Sequence, residues 1–255
     1  PEPILFRGVK LGVPICEDIW QERVCAHLAT AGAEMLLSPN GSPYETDKDS
    51  LRQRMVRERV AETGLPLVYL NRVGGQDELV FDGSSFVTND DGTVAVQLPD
   101  FEEAMTLTDW VRTPNGWRCE PSQRATLSPY PEDMYRAMMM ALRDYVTSNG
   151  FSGVLLGLSG GIDSALPAAV AVDALGADKV WCVMLPSKYT GDDSLEDAAS
   201  CAKLLGVRHD VIPIVTGVGA LDKMLGKAFE GTEAGLAEEN IQSRLRMVTL
   251  MALSN

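Results

Sequence analysis

One short turn limits the possible folds more than any other part of this 255-residue sequence. Residues 157–164 (GLSGGIDS) lie between an apolar, strand-like stretch and a segment with helical periodicity. Downstream, strand-like and helical segments continue to alternate, which predicts an open parallel sheet with ligands at the carboxyl ends of its strands. The predicted elements are Gly153–Leu158, Ser164–Leu175, Lys179–Leu185, Ser194–Leu205 and Arg208–Pro213.

The turn has the chemistry of a phosphate-binding loop. Glycines uncover the backbone N–H groups at a helix N-terminus, where phosphate oxygens bind, and serine hydroxyls add donors. Asp163 would repel phosphate unless a Mg²⁺ ion bridged them, so it is the candidate metal ligand. The turn lacks the lysine of a Walker loop and the spacing of a dinucleotide fingerprint, which leaves a ligand-free turn as the alternative. The residues of this candidate phosphate-binding loop, to which the resemblance described below assigns ATP, are Gly157, Leu158, Ser159, Gly160, Gly161, Ile162, Asp163 and Ser164.

The first part of the chain also alternates strands and helices and ends in a hairpin around the NDDG turn at 89–92. It predicts an α/β layered domain over residues 1–98. Residues 99–131 are rich in proline and predict a linker, and a second domain follows over 132–255, opening with a helix at Glu132–Ser148. The other predicted elements are strands at Val9–Cys16, Ala33–Ser38, Pro66–Asn71, Ser85–Thr88 and Thr93–Gln97, and helices at Trp20–Ala31 and Asp49–Thr63.

Cys16 is the candidate nucleophile of the first domain. It is predicted to end a strand where a helix begins, a corner that presents a side chain, and a helix N-terminus favours the thiolate. The alternative is a small buried apolar residue. His27 lies 11 residues further on, about 16 Å away along a helix, so the base for Cys16 must be another residue type.

Charge and composition exclude several classes of function. The net charge is −14, from 36 acidic and 22 basic residues, which disfavours binding to nucleic acid. No apolar run reaches the roughly 18 residues of a membrane span, and no signal peptide is evident, so we expect a cytoplasmic protein. Five cysteines without CxxC pairs and two histidines predict free thiols rather than a zinc site.

Two further motifs accompany the glycine turn. Residues 184–190 (MLPSKYT) and 239–247 (ENIQSRLRM), with the turn itself, resemble the NAD synthetases of the ATP pyrophosphatase superfamily. The resemblance implies that ATP adenylates a carboxylate substrate, deamido-NAD, with Mg²⁺ at Asp163. It also implies that Asn240 and Arg244 contact deamido-NAD. The alternative for Arg244 is a solvated helix face.

Around Cys16, GVPICEDIW (12–20) resembles the nucleophile strand of the nitrilase superfamily, and residues 38–43 and 71–84 resemble the glutaminase domains of NAD synthetases. The resemblance implies that Cys16 belongs to a Glu–Lys–Cys triad, and that Glu17, Ser42 and Lys48 shape a glutamine pocket. Lys48 would pair with the α-carboxylate of glutamine, although an ordinary surface lysine is the alternative. The other triad residues, and several ligase residues, would lie outside this sequence.

The resemblance to glutamine-dependent NAD synthetases covers the whole chain. It implies the C-terminal part of a nitrilase-like αββα sandwich, followed by the N-terminal part of a Rossmann-like parallel α/β domain. It further implies amidation of deamido-NAD with ammonia from glutamine, passed through a tunnel, and a homo-oligomer that is at least a dimer. The alternatives are an incomplete, non-catalytic fragment, because the chain starts at Pro1 rather than Met, or another amidotransferase of the superfamily.

Overall fold

A computed structural model of the protein describes residues 2–231 and 235–255. The chain divides into two compact units, Pro1–Asp144 and Tyr145–Asn255, and the division falls within one long helix. Each unit mixes strands and helices, which confirms the predicted α/β class.

The first unit is built on a six-stranded mixed sheet. The order is β1-β2-β3-β4-β7-β8; β2, β3 and β4 run parallel, and the remaining pairs are antiparallel. Two separate hairpins, β5-β6 and β9-β10, complete the strands described in this unit. The strands are β1 (Ile4–Phe6), β2 (Val9–Gly12), β3 (Met35–Asn40), β4 (Leu67–Asn71), β5 (Val73–Gln76), β6 (Leu79–Asp82), β7 (Phe86–Thr88), β8 (Val94–Gln97), β9 (Trp110–Thr113) and β10 (Gly116–Cys119).

Helices pack on this sheet and close its core. A short 3-10 helix, Cys16–Trp20, precedes α1 (Glu22–Thr30), and α2 (Lys48–Thr63) follows β3. Apolar side chains recur at helical spacing along α2, so one face of that helix is buried against the sheet. The helix α3 (Glu132–Ser148) begins in this unit. The core joins Ile19, Leu28, Leu36, Val56, Val60, Leu67, Tyr69 and Phe86.

Two predictions for this unit differ from the structure. The strand predicted over Val9–Cys16 ends at Gly12, because Pro14 has no N–H group for a ladder and Cys16 has a positive φ of 49°. The predicted linker, 99–131, carries the β9-β10 hairpin and pairs with the sheet: the Gln97 N–H donates to Gln123 O at 2.9 Å, and Cys119 is fully buried.

The second unit contains the predicted parallel sheet, in the order β11-β12-β13. Helices follow each strand, as the alternation of the sequence predicts. The 3-10 helix Ala177–Lys179 lies between α4 and β12. The elements are β11 (Val154–Gly157), α4 (Ile162–Leu175), β12 (Val180–Met184), α5 (Asp192–Leu205), β13 (Arg208–Val211), α6 (Val215–Leu225) and α7 (Leu236–Ser254).

Within the described ranges, none of the helices combines the length and apolar character that crossing a membrane requires.

Candidate active sites

Cys16 lies at a corner between β2 and the 3-10 helix that it opens. Its φ of 49° is in the left-handed region, which non-glycine residues rarely adopt and which is enriched at functional sites. Asp18 fixes the corner: its N–H donates to Ile15 O at 3.0 Å, and its carboxylate accepts the Ile15 N–H at 3.0 Å. Cys16 itself is half-buried, so the corner presents the thiol at a partly accessible position.

Ser42 is buried in the loop between β3 and α2, and its N–H, carbonyl and hydroxyl groups are all hydrogen-bonded. Its N–H donates to Asn71 Oδ1 at 2.9 Å, and its carbonyl accepts from Asn71 Nδ2 at 3.1 Å and from Arg52 Nη2 at 2.9 Å. Its hydroxyl oxygen accepts from Arg52 Nε at 3.2 Å. The position of Ser42 is therefore fixed by buried polar partners on α2 and β4.

Tyr69 joins Cys16 and Ser42 into one cluster. Burial raises the pKa of the Tyr69 hydroxyl, the neighbouring Ser42 hydroxyl and Arg52 charge lower it, and a Cys16 charge raises it. Ser42 is therefore the near neighbour of the Tyr69 hydroxyl, and Arg52 and Cys16 lie within the range over which a charge acts on it. The structure thus brings together two of the predicted glutaminase residues, Cys16 and Ser42, around a fully buried tyrosine.

The other two predicted residues of this site have different surroundings. Glu17 is exposed beside Cys16. Lys48, the first residue of α2, is largely buried and its ammonium group pairs with the Glu45 carboxylate. A bound carboxylate would compete with Glu45 for this ammonium group.

In the second unit, the glycine turn follows β11 and leads into α4. Gly160 has a φ of 86°, and a Cβ atom there would lie 2.5 Å from Ser194 O, at the start of α5. Because glycine has no Cβ atom, it is the residue that allows the turn to lie this close to α5. The Ser159 N–H donates to Ser164 Oγ at 3.0 Å, and that hydroxyl donates to Gly161 O at 2.9 Å, so Ser164 stabilises the turn internally.

Two cavities adjoin at the carboxyl ends of β11 and β12. A cavity of about 410 Å³ is lined by both strand ends, the turn, α5 and α7, and one of about 570 Å³ lies next to it. Arg246 lines both cavities and donates from Nε to Leu185 O at 3.1 Å. The residues lining the smaller cavity are Gly157, Leu158, Ser159, Val183, Met184, Leu185, Tyr189, Thr190, Gly191, Ser194, Arg246 and Leu250.

Asp163 lies exposed in the first turn of α4. In residues 2–231 and 235–255, no group of three or more His, Cys, Asp or Glu side chains is arranged to hold a metal ion. A single carboxylate fits Mg²⁺ nonetheless, since this ion often binds one or two carboxylates together with substrate phosphates and water.

Asn240 and Arg244 lie four residues apart on α7, so they share one face of that helix, and both are exposed. The α7 side chains that line the two cavities are instead Glu238, Glu239, Gln242, Arg246 and Leu250. The structure thus keeps the two predicted deamido-NAD residues together but outside the cavity.

Sequence reasoning missed the buried pair Arg52–Asp82 and Tyr69 as members of the first site. Arg52 lies three residues before Met55 and four before Val56, within the apolar face of α2, and a charge in that position indicates a buried ion pair. Its partner is 30 residues away in sequence, so no local pattern identifies it.

Comparisons with known proteins assign each part of the chain to a family. Residues 2–112 match the carbon-nitrogen hydrolase family, and residues 134–255 match the NAD synthase family. The glutamine-dependent NAD(+) synthetase of Rhodobacter capsulatus is 54% identical over 254 residues, and that of Acinetobacter baylyi is 43% identical over 255 residues. The matches cover 100% and 98% of this chain but 46% of each relative, so the chain spans about half their length.

A solved structure supports the same assignment. The glutamine-dependent NAD+ synthetase of Acinetobacter baumannii, in complex with ADP, superposes with a TM-score of 0.94 at 41% identity. That match covers 99% of this chain and 48% of the solved one. The first unit contains the segment similar to carbon-nitrogen hydrolases, and the second contains most of the segment similar to NAD synthases, in agreement with the predicted fold. Over its whole length, the chain is thus similar to about half of these glutamine-dependent NAD(+) synthetases.

Proposed function

We propose that this chain supplies parts of both active sites of a glutamine-hydrolysing NAD synthetase, an enzyme that amidates deamido-NAD. The observation that carries the proposal is the positive-φ corner at Cys16, in a segment that matches carbon-nitrogen hydrolases. A strained corner that exposes one thiol beside polar side chains fits a nucleophile. The relatives of this chain are named glutamine-dependent NAD(+) synthetases, which favours the amidation of deamido-NAD over the reactions of other amidotransferases.

In the first reaction, the Cys16 sulfur attacks the side-chain amide carbon of glutamine. The C–N bond breaks, the nitrogen takes a proton and leaves as ammonia, and a thioester remains. Water then hydrolyses the thioester, which releases glutamate and restores the thiol. The general base is expected from a Glu–Lys pair of the family triad, as the resemblance implies. Ser42 and Lys48 contact the substrate, and Lys48 exchanges Glu45 for the α-carboxylate of glutamine.

In the second reaction, ATP adenylates the nicotinate carboxylate of deamido-NAD and releases pyrophosphate, and ammonia then displaces AMP. The turn at 159–164 and the N-terminal end of α4 bind the phosphates, while Thr190 and Arg246 line the adjoining cavity. Mg²⁺ bound at Asp163 would neutralise charge on the leaving pyrophosphate. The ADP complex of the Acinetobacter baumannii enzyme supports a nucleotide site in this family.

The proposal includes an oligomer that is at least a dimer and a cytoplasmic location. The exposed face of α7 supports association, because it presents Asn240 and Arg244 together with the exposed Met247, Val248 and Met251. All five cysteines are free, which fits a reducing compartment.

Replacing Cys16 tests the proposal in the intact protein, meaning this chain with any sequence that flanks it. Cys16→Ala should abolish synthesis of NAD from glutamine, while synthesis from added ammonium salt continues at the wild-type rate. Steady-state assays with each nitrogen donor measure both results. Glutamine-driven synthesis that survived in Cys16→Ala would sink the glutaminase half of the proposal.

A further inference from the structure

Arg52 is a buried arginine that contacts Ser42, one of the proposed glutamine-binding residues. Its side chain is 1% exposed and makes six hydrogen bonds. Two of these go to the Asp82 carboxylate, at 2.6 and 2.9 Å, in the paired geometry that suits a guanidinium. The others go to Asp49 Oδ1 and to three oxygens of Ser42 and Pro43.

Stability alone does not explain such a pair. Removing two charges from water is costly, and apolar side chains of similar volume would often serve the fold as well. Arg59, on the same helix and 7% exposed, shows the simpler arrangement: it pairs with Glu62 at 2.7 Å. Arg52 differs because half of its hydrogen bonds hold the loop at Ser42 and Pro43.

The inference rests on which group donates and which accepts in the hydrogen bond between Arg52 and the Ser42 hydroxyl. A guanidinium group only donates, so Ser42 Oγ accepts from Arg52 Nε, at 3.2 Å. The hydroxyl hydrogen of Ser42 is therefore not used toward Arg52. The N–H and C=O groups of Ser42 are already bonded to Asn71 and Arg52. Ser42 keeps a hydroxyl hydrogen, which can donate to the neighbouring Tyr69 oxygen or, when a ligand is bound, to a carboxylate or carbonyl oxygen, and not to an ammonium group.

We propose that Arg52 is a positioning residue for glutamine recognition: it holds the Ser42 hydroxyl as a donor toward an acceptor oxygen of glutamine. The inference rests on the proposed glutaminase function and deepens it. Arg52 contacts no substrate atom itself, because its side chain is buried and its N–H groups are already bonded to protein oxygens. It also fixes the start of the loop that continues from Ser42 to Lys48.

Arg52→Lys tests this in the intact protein. Lysine keeps a charge for Asp82, but it cannot reproduce the planar set of donors that reaches Ser42. We expect the KM for glutamine to rise about tenfold, the effect of losing one hydrogen bond that a charged group supports. The kcat with saturating glutamine should change less, by about threefold at most. Synthesis driven by ammonium salt should not change.

Arg59→Lys is the matched control. It shortens another buried, carboxylate-paired arginine on the same helix without touching Ser42. We expect it to leave the KM for glutamine at the wild-type value, whatever its effect on melting temperature. A second readout is the double variant Ser42→Ala with Arg52→Lys. Because Arg52 acts through Ser42, the double variant should have a KM close to that of Ser42→Ala alone.

A folded Arg52→Lys protein with the wild-type KM would overturn the inference, as would strictly additive effects of Ser42→Ala and Arg52→Lys. If Arg52→Lys does not fold, the paired variant Arg52→Met with Asp82→Leu removes both buried charges together. It should show the same rise in KM, and a wild-type KM in it would also overturn the inference. Failure of the proposed function is a separate result, namely glutamine-driven synthesis that does not need Cys16.

Discussion

Each unit contains a sharp corner between a strand and a helix, but the residue that takes the positive φ is of a different type in each. At the first corner, a residue with a side chain, Cys16, takes the positive φ, at 49°. At the second, the positive φ of 86° falls on Gly160, which lies against the backbone of Ser194. The proposed nucleophile needs a side chain at the corner, which accounts for a strained non-glycine residue there. The proposed phosphate site needs main-chain amides, which accounts for a glycine at the second corner.

Both corners are fixed by short polar side chains that bond to the backbone. Asp18 accepts the Ile15 N–H at the first, and Ser164 accepts the Ser159 N–H at the second. The two corners differ in the residues that support them. The first corner belongs to a cluster with the buried Arg52–Asp82 pair, whereas the turn at 159–164 is exposed and its support comes from backbone packing.

Gly160→Ala should have the largest effect, because it puts a side chain where the second corner excludes one. The new Cβ would lie 2.5 Å from Ser194 O at a φ of 86°. We expect a loss of about 3 kcal/mol or more in the stability of the second unit, from overlap and backbone strain together. Hydrogen exchange of peptides from 154–205 would measure it, and NAD synthesis from either nitrogen donor should be lost.

The matched control for this prediction is Gly161→Ala. Gly161 is the neighbouring residue, its φ of −87° suits any amino acid, and a Cβ there meets Ser159 Oγ at an ordinary 3.6 Å. Its hydrogen exchange should stay near that of the wild type. Equal protection loss in the two variants would mean that the approach to Ser194 does not govern this corner.

Both corners were predictable from the sequence, but the ends of the flanking elements were predictable only at the second. Around 157–164, apolar stretches and helical periodicity place β11, α4, β12 and α5 to within two residues of their observed ends. Every signal there is local. At the first corner, Val13 and Pro14 extend an apolar run that resembles a strand, yet Pro14 cannot continue a ladder and β2 stops at Gly12.

The features that could not be predicted from the sequence depend on contacts between residues far apart in the chain. Arg52 meets Asp82 across 30 residues, and nothing near either residue indicates the partner. Likewise, the hairpin β9-β10 lies in a proline-rich stretch whose pairing with the sheet depends on contacts between 95–97 and 122–125. Resemblance to a family identified Cys16 and Ser42, but not the buried polar network that positions Ser42.

Thiol labelling should show which cysteine is presented by a corner and which are core residues. Burial raises the pKa of Cys25 and of Cys182 to about 11, and it also raises that of Cys119. A thiol with such a pKa carries roughly a hundredfold less thiolate near pH 8 than an ordinary one. Iodoacetamide should therefore modify Cys16 at least about a hundredfold faster than Cys25, as measured by peptide mass spectrometry. Comparable rates for the two would contradict the presentation of Cys16.

Cys16→Gly against Cys16→Ala measures the strain that the first corner retains. Alanine keeps a Cβ atom at a φ of 49°, whereas glycine adopts that conformation freely. We expect the glycine variant to be more stable than the alanine variant by about 1 kcal/mol. Protection of peptides from 9–30 in hydrogen exchange would measure the difference. A more stable alanine variant would show that the corner stores no strain.

Asp49→Asn should give the smallest effect, and it examines the charges near the first corner. Burial, followed by the like charge of Asp82, raises the pKa of Asp49, despite its bond to Arg52 Nη1 at 3.2 Å. A raised folded pKa means that the stabilising contribution is fully present below the unfolded value of about 3.9 and is lost as the pH rises through the folded value. Since about a third of the side chain is exposed, screening reduces the cost, and asparagine should stabilise the protein by a few tenths of a kcal/mol near pH 7. Urea unfolding near pH 4 should show no difference between Asp49→Asn and the wild type.

Asp91→Asn is the control of opposite sign, because hydrogen bonds from Thr93 lower the pKa of Asp91 to about 2. That stabilisation is present above about pH 4 and is lost as the pH falls toward 2, so Asp91→Asn should destabilise near pH 7. If both variants moved stability in the same direction, the charge environment of Asp49 would not be the cause.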